Sequence, residues 1–150
     1  KYLTRSRLSL TNILIVQPCE KVTFGQSLHR RPYNMLPQTM WLNKAVEEQL
    51  QTLKGKTGVT PNVAARIAFF RSIENGFMFN KEKDYKLSGS LKLDKFTWLG
   101  KTQMVTELLL KQRYPEYSDK ELQTAWAAHV EDGISSIRNK NSNQFFKVVS

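Results

Sequence analysis

The chain has 150 residues, 40% of them hydrophobic and 24% charged, which fits one soluble globular domain with a modest core. Its net charge of +10 and pI of about 9.8 favour polyanionic partners. No stretch approaches the roughly 20 apolar residues of a membrane span, and the single cysteine, Cys19, excludes an internal disulfide and a cysteine-built zinc or iron–sulfur site.

Residues 1–34 carry Lys1, Arg5, Arg7, Lys21, Arg30 and Arg31 against Glu20 alone, so half of the net charge sits in less than a quarter of the chain. They keep no helical or strand period and read as a basic flexible arm. The apolar run Ile13 to Val16 is shorter than the about 7–15 residues of a signal-peptide core, so secretion is not expected. Cys19 fits a reducing cytoplasm. Met35-Leu36-Pro37 has the look of a chain start, which makes the arm an extension before a domain at 35–140 and a tail at 141–150.

Within that domain, Gln38 to Leu42 alternates loosely and reads as a short strand packing Trp41 on the core. Asn43 is a candidate N-cap, and Val46, Leu50 and Leu53 recur at helical spacing, which predicts a first helix over about 44–54 closed by Gly55. Thr60-Pro61 opens a second helix to Glu74, with Val63, Ala64, Ile67, Ala68, Phe70 and Ile73 on a wide apolar face. Phe77-Met78-Phe79 reads as a loop anchor, and Leu91 to Leu99 as a packed irregular segment or short strand. A third helix is expected over about 101–114, with Met104, Val105, Leu108 and Leu109 inward. Ser118 and Glu121 have capping-box spacing ahead of a long fourth helix to about Lys140, whose buried side would be Leu122, Trp126, Val130, Ile134 and Ile137. The result is a mainly α domain of four main helices with a short strand–helix–helix, ribbon-helix-helix-like start.

Lys54 and Lys56 flank Gly55 where the first helix gives way to the second. Two cations near a helix N-terminus suit a phosphate, and Gly55 and Gly58 would let the backbone approach it closely. The alternative is a helix-capping turn with solvated lysines. Lys44, Arg66 and Arg71 are further candidates for DNA contact, against the usual fate of such side chains as a solvated helix face. Arg113, Lys140 and Lys147 read as scattered surface charges. Gly55-Lys56-Thr57 is no nucleotide-binding loop, because the first glycine of that motif would fall on Leu50 inside a helical period. His129 and Asp132 are neighbours on one helix side, more simply a surface hydrogen bond than a metal or acid–base pair.

Four strings carry a resemblance: Leu53 to Asn62 (LKGKTGVTPN), Ala65 to Glu74 (ARIAFFRSIE), Leu93 to Gly100 (LDKFTWLG) and Ala125 to Ile134 (AWAAHVEDGI). Together they resemble the DndE family of DNA sulfur modification proteins, over residues 35 to about 140. The resemblance implies a role in DNA phosphorothioation, in which sulfur replaces a non-bridging phosphate oxygen. It also implies a small, mainly helical DNA-binding component assembled as a tetramer; the residues themselves point to no cofactor or metal and favour a non-catalytic subunit over an enzyme without deciding between them. Its implied partners are double-stranded DNA and the pathway proteins that supply cysteine desulfurase, iron–sulfur and ATP-dependent activities. The rival readings are a strand-nicking nuclease using His129, Glu131 and Asp132, and a scaffold that docks acidic partner proteins.

Overall fold

The computed structural model describes residues 35–139; the arm, Lys140, Lys147 and Phe145-Phe146 lie outside them. In chain order the elements are β1 (Thr39–Met40), α1 (Lys44–Thr57), α2 (Pro61–Glu74), β2 (Leu93–Asp94), α3 (Lys95–Leu99), a 3-10 turn (Gly100–Thr102), α4 (Gln103–Arg113) and α5 (Asp119–Asn139). The short strand pairs within the chain: β1 runs antiparallel to β2, with Thr39 opposite Asp94 and Met40 opposite Leu93. Met40 and Leu42 are buried, whereas Trp41 stays half-buried under the Lys92 ammonium. The expected core role of Trp41 falls instead to Trp98 and Trp126, packed edge-to-face at 5.6 Å.

Asn43 caps α1 as its sequence suggests, accepting the Ala45 N–H at 2.9 Å. Gly55 does not end the helix. α1 continues to Thr57 and closes at Gly58, whose φ of 75° is the left-handed conformation and whose N–H donates to the Lys54 carbonyl at 2.8 Å. A mid-helix glycine costs only about 1 kcal/mol and cannot by itself stop a helix whose Leu50 is buried. α2 opens with Pro61 in its first turn. Its buried residues are Ala64, Ala65, Ala68, Phe69 and Ser72, while Val63 is exposed and Phe70 only half-buried.

α5 is the central element and packs most extensively on α2. Its capping box forms: the Ser118 N–H and hydroxyl donate to Glu121 at 2.7 and 2.9 Å, and the Glu121 N–H returns to Ser118 Oγ at 3.4 Å. Leu122, Trp126, Val130 and Ile134 are buried as their spacing predicts, joined by Ala125, Ala127 and His129. Phe77 and Phe79 turn inward and Met78 outward. The irregular segment expected before α4 contains a short helix, α3, which Asp94 caps by accepting the Thr97 N–H at 2.9 Å.

α4 reverses the expectation from sequence at three of the four apolar positions, and only Leu109 of the four packs partly on the core. Met104, Val105 and Leu108 face solvent, and Thr106, Glu107 and Leu110 face the core. The reason is Lys95. Its buried ammonium donates to Glu107 Oε1 and to the Leu36 carbonyl, each at 3.0 Å, and Glu107 also receives the Leu36 N–H at 3.4 Å. Burying this ion pair fixes the rotation of α4 and turns its apolar stripe outward.

Candidate nucleic-acid interface

Lys44 begins α1, and Lys54 and Lys56 occupy its last turn; all three are exposed. None has an ion pair among the described residues, whereas Arg71, Lys81, Lys86 and Lys95 are paired with Glu74, Glu121, Asp84 and Glu107. The continuation of α1 through Gly55 revises the expected junction. Lys54 and Lys56 are two residues apart on a helix, so they leave it roughly 160° apart and do not share a face. They stand at the carbonyl end of α1, and the glycine-rich loop reduces to Gly58, Val59 and Thr60. Gly55 has open space around it, and Gly58 supplies the turn.

The arginines on α2 do structural work. Arg66 donates through Nε to the Trp98 carbonyl at 2.8 Å and through a terminal nitrogen to the Thr97 carbonyl at 3.0 Å, holding the end of α3. Arg71 is committed to Glu74. Arg113, expected at the surface, is half-buried and donates to the Phe77 and Ile73 carbonyls, each at 3.0 Å. Of the five candidate cations, the three lysines of α1 are those whose ammonium groups no described carboxylate or carbonyl holds.

Lys56 also lines a groove of about 490 Å³ between α1 and the end of α5, floored by Leu53, Ile134 and Ile137 and shared with Arg138. Sequence reasoning missed Arg138. It lies 82 positions from Lys56, and no local pattern links the two. The described residues carry fifteen basic and twelve acidic side chains, a net of +3, so +7 of the chain's charge lies outside 35–139.

His129 does not lie on a helix surface beside Asp132. It is fully buried, with Nδ1 2.9 Å from Ser72 Oγ and Nε2 2.9 Å from the Tyr114 hydroxyl, and Phe69 and Phe77 pack edge-on against its ring. A neutral imidazole satisfies both partners, donating at one nitrogen and accepting at the other. Burial, and secondarily the nearby Arg113 charge, pulls its pKa from 6.5 to about 4. Glu131 and Asp132 line a separate small pocket with Tyr85, whose hydroxyl is pushed up, chiefly by burial. The proposed nuclease trio is therefore not assembled. Among the described residues, no group of three or more His, Cys, Asp or Glu side chains is placed to hold a metal ion. Nor is any helix there long and apolar enough to cross a membrane.

The low folded pKa of His129 makes stability depend on pH. Its contribution is complete above about pH 6.5 and is lost as pH falls toward 4, amounting to roughly 3 kcal/mol. Urea unfolding at pH 7, 6 and 5 is expected to show progressive loss, and a His129→Gln variant to lack the drop that begins near pH 6.5. Equal slopes for the two proteins across that window would remove His129 as its source.

A sequence model described as DNA sulphur modification protein DndE matches residues 39–144. The fold is similar to the crystal structure of DndE from Escherichia coli B7A, involved in DNA phosphorothioation modification. That similarity has 55% identity and a TM-score of 0.66, and covers 69% of this chain and 98% of that one. A double glycine-to-lysine mutant of DndE, likewise described as involved in DNA phosphorothioation, is similar at 55% identity and TM-score 0.66, with 69% and 99% covered. A search of curated proteins finds no match.

Proposed function

Because the chain belongs to the DndE family and acts in DNA phosphorothioation, we propose that it is the component of that machinery that binds the DNA backbone. The observation that carries this reading is the set of exposed lysines on α1, Lys44, Lys54 and Lys56, none neutralised by a carboxylate among the described residues. Replacing an oxygen by sulfur in a phosphate requires access to the backbone, and unneutralised cations on a rigid helix hold phosphates without reading sequence. β1 offers no basic residue, and its pairing with β2 occupies one of its edges, so base readout through a strand is not its role.

Lys54 and Lys56 diverge, so one chain does not close both on one phosphate. In a homotetramer, copies of α1 bring these lysines together from several chains, and a nicked duplex, which bends easily, conforms to such a surface best. The +7 outside the described residues adds long-range attraction. The protein does this in the cytoplasm, beside the other phosphorothioation proteins, as a non-catalytic subunit.

Alanine at Lys54 and Lys56 is expected to weaken duplex binding and to flatten its salt dependence by about 0.9 log–log units for each phosphate no longer engaged. Fluorescence anisotropy with intact and nicked duplexes measures both quantities. A doubly substituted protein with unchanged affinity and unchanged salt slope would exclude these lysines as ligands of the backbone.

A further inference from the structure

α4 is amphipathic in the wrong sense for a helix whose partners are all among the described residues. Its inward side carries Thr106 and Glu107 beside Leu110, and its outward side carries Met104, Val105 and Leu108, exposed by 71%, 50% and 53%. Positions 104, 105 and 108 share one face at i, i+1 and i+4 spacing. On the preceding α3, Phe96 is exposed by 71%. Large apolar side chains concentrated in this way mark an interaction surface more often than isolated ones do.

We propose that this outward face of α4 is a docking surface for an acidic amphipathic helix of a protein partner. The charges around it select that occupant. Exposed Lys101 lies one turn before Met104, and Lys111, half-buried with its ammonium on the Pro115 carbonyl, lies one turn after Leu108. Between residues 95 and 113 the only carboxylate after the start of α3 is Glu107, which is buried against Lys95. The apolar stripe is therefore flanked by cations with no exposed acid of its own. A second copy of the chain, packed about a two-fold axis, would set these cations against their own kind. Duplex DNA gives Met104 and Leu108 nothing apolar to bury against. A helix with leucines on one side and glutamates along its flanks satisfies both features. The surface is separate from α1, so it stands or falls apart from the DNA reading.

The probe is a labelled synthetic helix with leucine at i, i+3, i+4 and i+7 and glutamate elsewhere, titrated with the full chain by anisotropy. Its lysine-for-glutamate counterpart, anionic phosphatidylglycerol vesicles, and sedimentation velocity of the protein alone complete the set. The acidic helix is expected to bind, and Met104→Gln with Leu108→Asn to weaken it at least about tenfold. The same pair is expected to leave thermal unfolding and duplex binding unchanged, because both side chains are exposed. Lys101→Glu is expected to weaken the acidic helix in low salt. Four results would overturn the proposal: no binding of the acidic helix, binding no tighter than that of the lysine counterpart, indifference to the paired substitution, or a loss of self-association or vesicle binding in its place.

Discussion

Alanine at Gly133 is expected to cost about 3 kcal/mol or more and to lower the melting temperature by at least roughly 12 °C. The cause is a close approach of α5 to the backbone of α2 at this glycine. A Cβ built on Gly133 would lie 1.9 Å from the Ala68 carbonyl oxygen and 2.5 Å from its carbon. These are backbone atoms in the middle of a helix, so no side chain can swing aside. The helices must separate along the most extensive helix–helix contact of the domain, and total stabilities are only about 5–15 kcal/mol. The roughly 1 kcal/mol that alanine gains over glycine in a helix does not offset this. Gly55 is the control. It is also helical, but a Cβ there meets nothing within 4 Å, so Gly55→Ala is expected to raise stability by about 0.5–1 kcal/mol. Differential scanning calorimetry of the two variants should show shifts of opposite sign. A Gly133→Ala protein that melts with the parent would contradict this packing.

The second large effect is expected at Glu107. Removing its carboxylate takes the Glu107 charge from the buried Lys95 ammonium, itself 2% exposed, at a cost of about 3–5 kcal/mol. Glu107 also receives the Leu36 N–H, so Glu107→Ala is expected to loosen the Met35 to Pro37 lead-in as well. The pair as a whole need not be worth that much, because two desolvated charges repay little more than their burial cost. Lys95→Met combined with Glu107→Leu is therefore expected to recover most of the loss seen in Glu107→Ala. Guanidinium unfolding of the single and double variants measures this. A double variant no more stable than the single one would show that the ion pair contributes more than its charges alone explain. The same pair sets the outward stripe of α4, so stability and the proposed docking face share one origin.

Much of the fold is written locally. Asn43, Thr60-Pro61 and the Ser118–Glu121 box mark helix starts because their chemistry acts within one turn. The core stripe of α5 is visible because Leu122, Trp126, Val130 and Ile134 all face one side. What the sequence conceals is long-range. Nothing near Glu107 shows that Lys95 lies beneath it, so the apolar side of α4 reads as buried. Nothing near His129 shows Ser72, 57 positions away, whose hydroxyl draws the ring into the core. Gly55 looks like a stop signal because glycine so often is one, but the left-handed residue proves to be Gly58. That three-residue extension of α1 changes the candidate site most, since it sets Lys54 and Lys56 on opposite sides. Arg66 reads as a free cation until the carbonyls of Thr97 and Trp98 are seen to hold it.

The central claim, phosphate contact through the lysines of α1, is tested most directly by titrating nicked duplex with the full chain at 50 and 200 mM salt. Three phosphate contacts give a log–log slope of about −2.7, a drop in affinity of roughly forty-fold between those concentrations. Affinity that stays constant across the range, or no measurable binding at 50 mM, would contradict the claim.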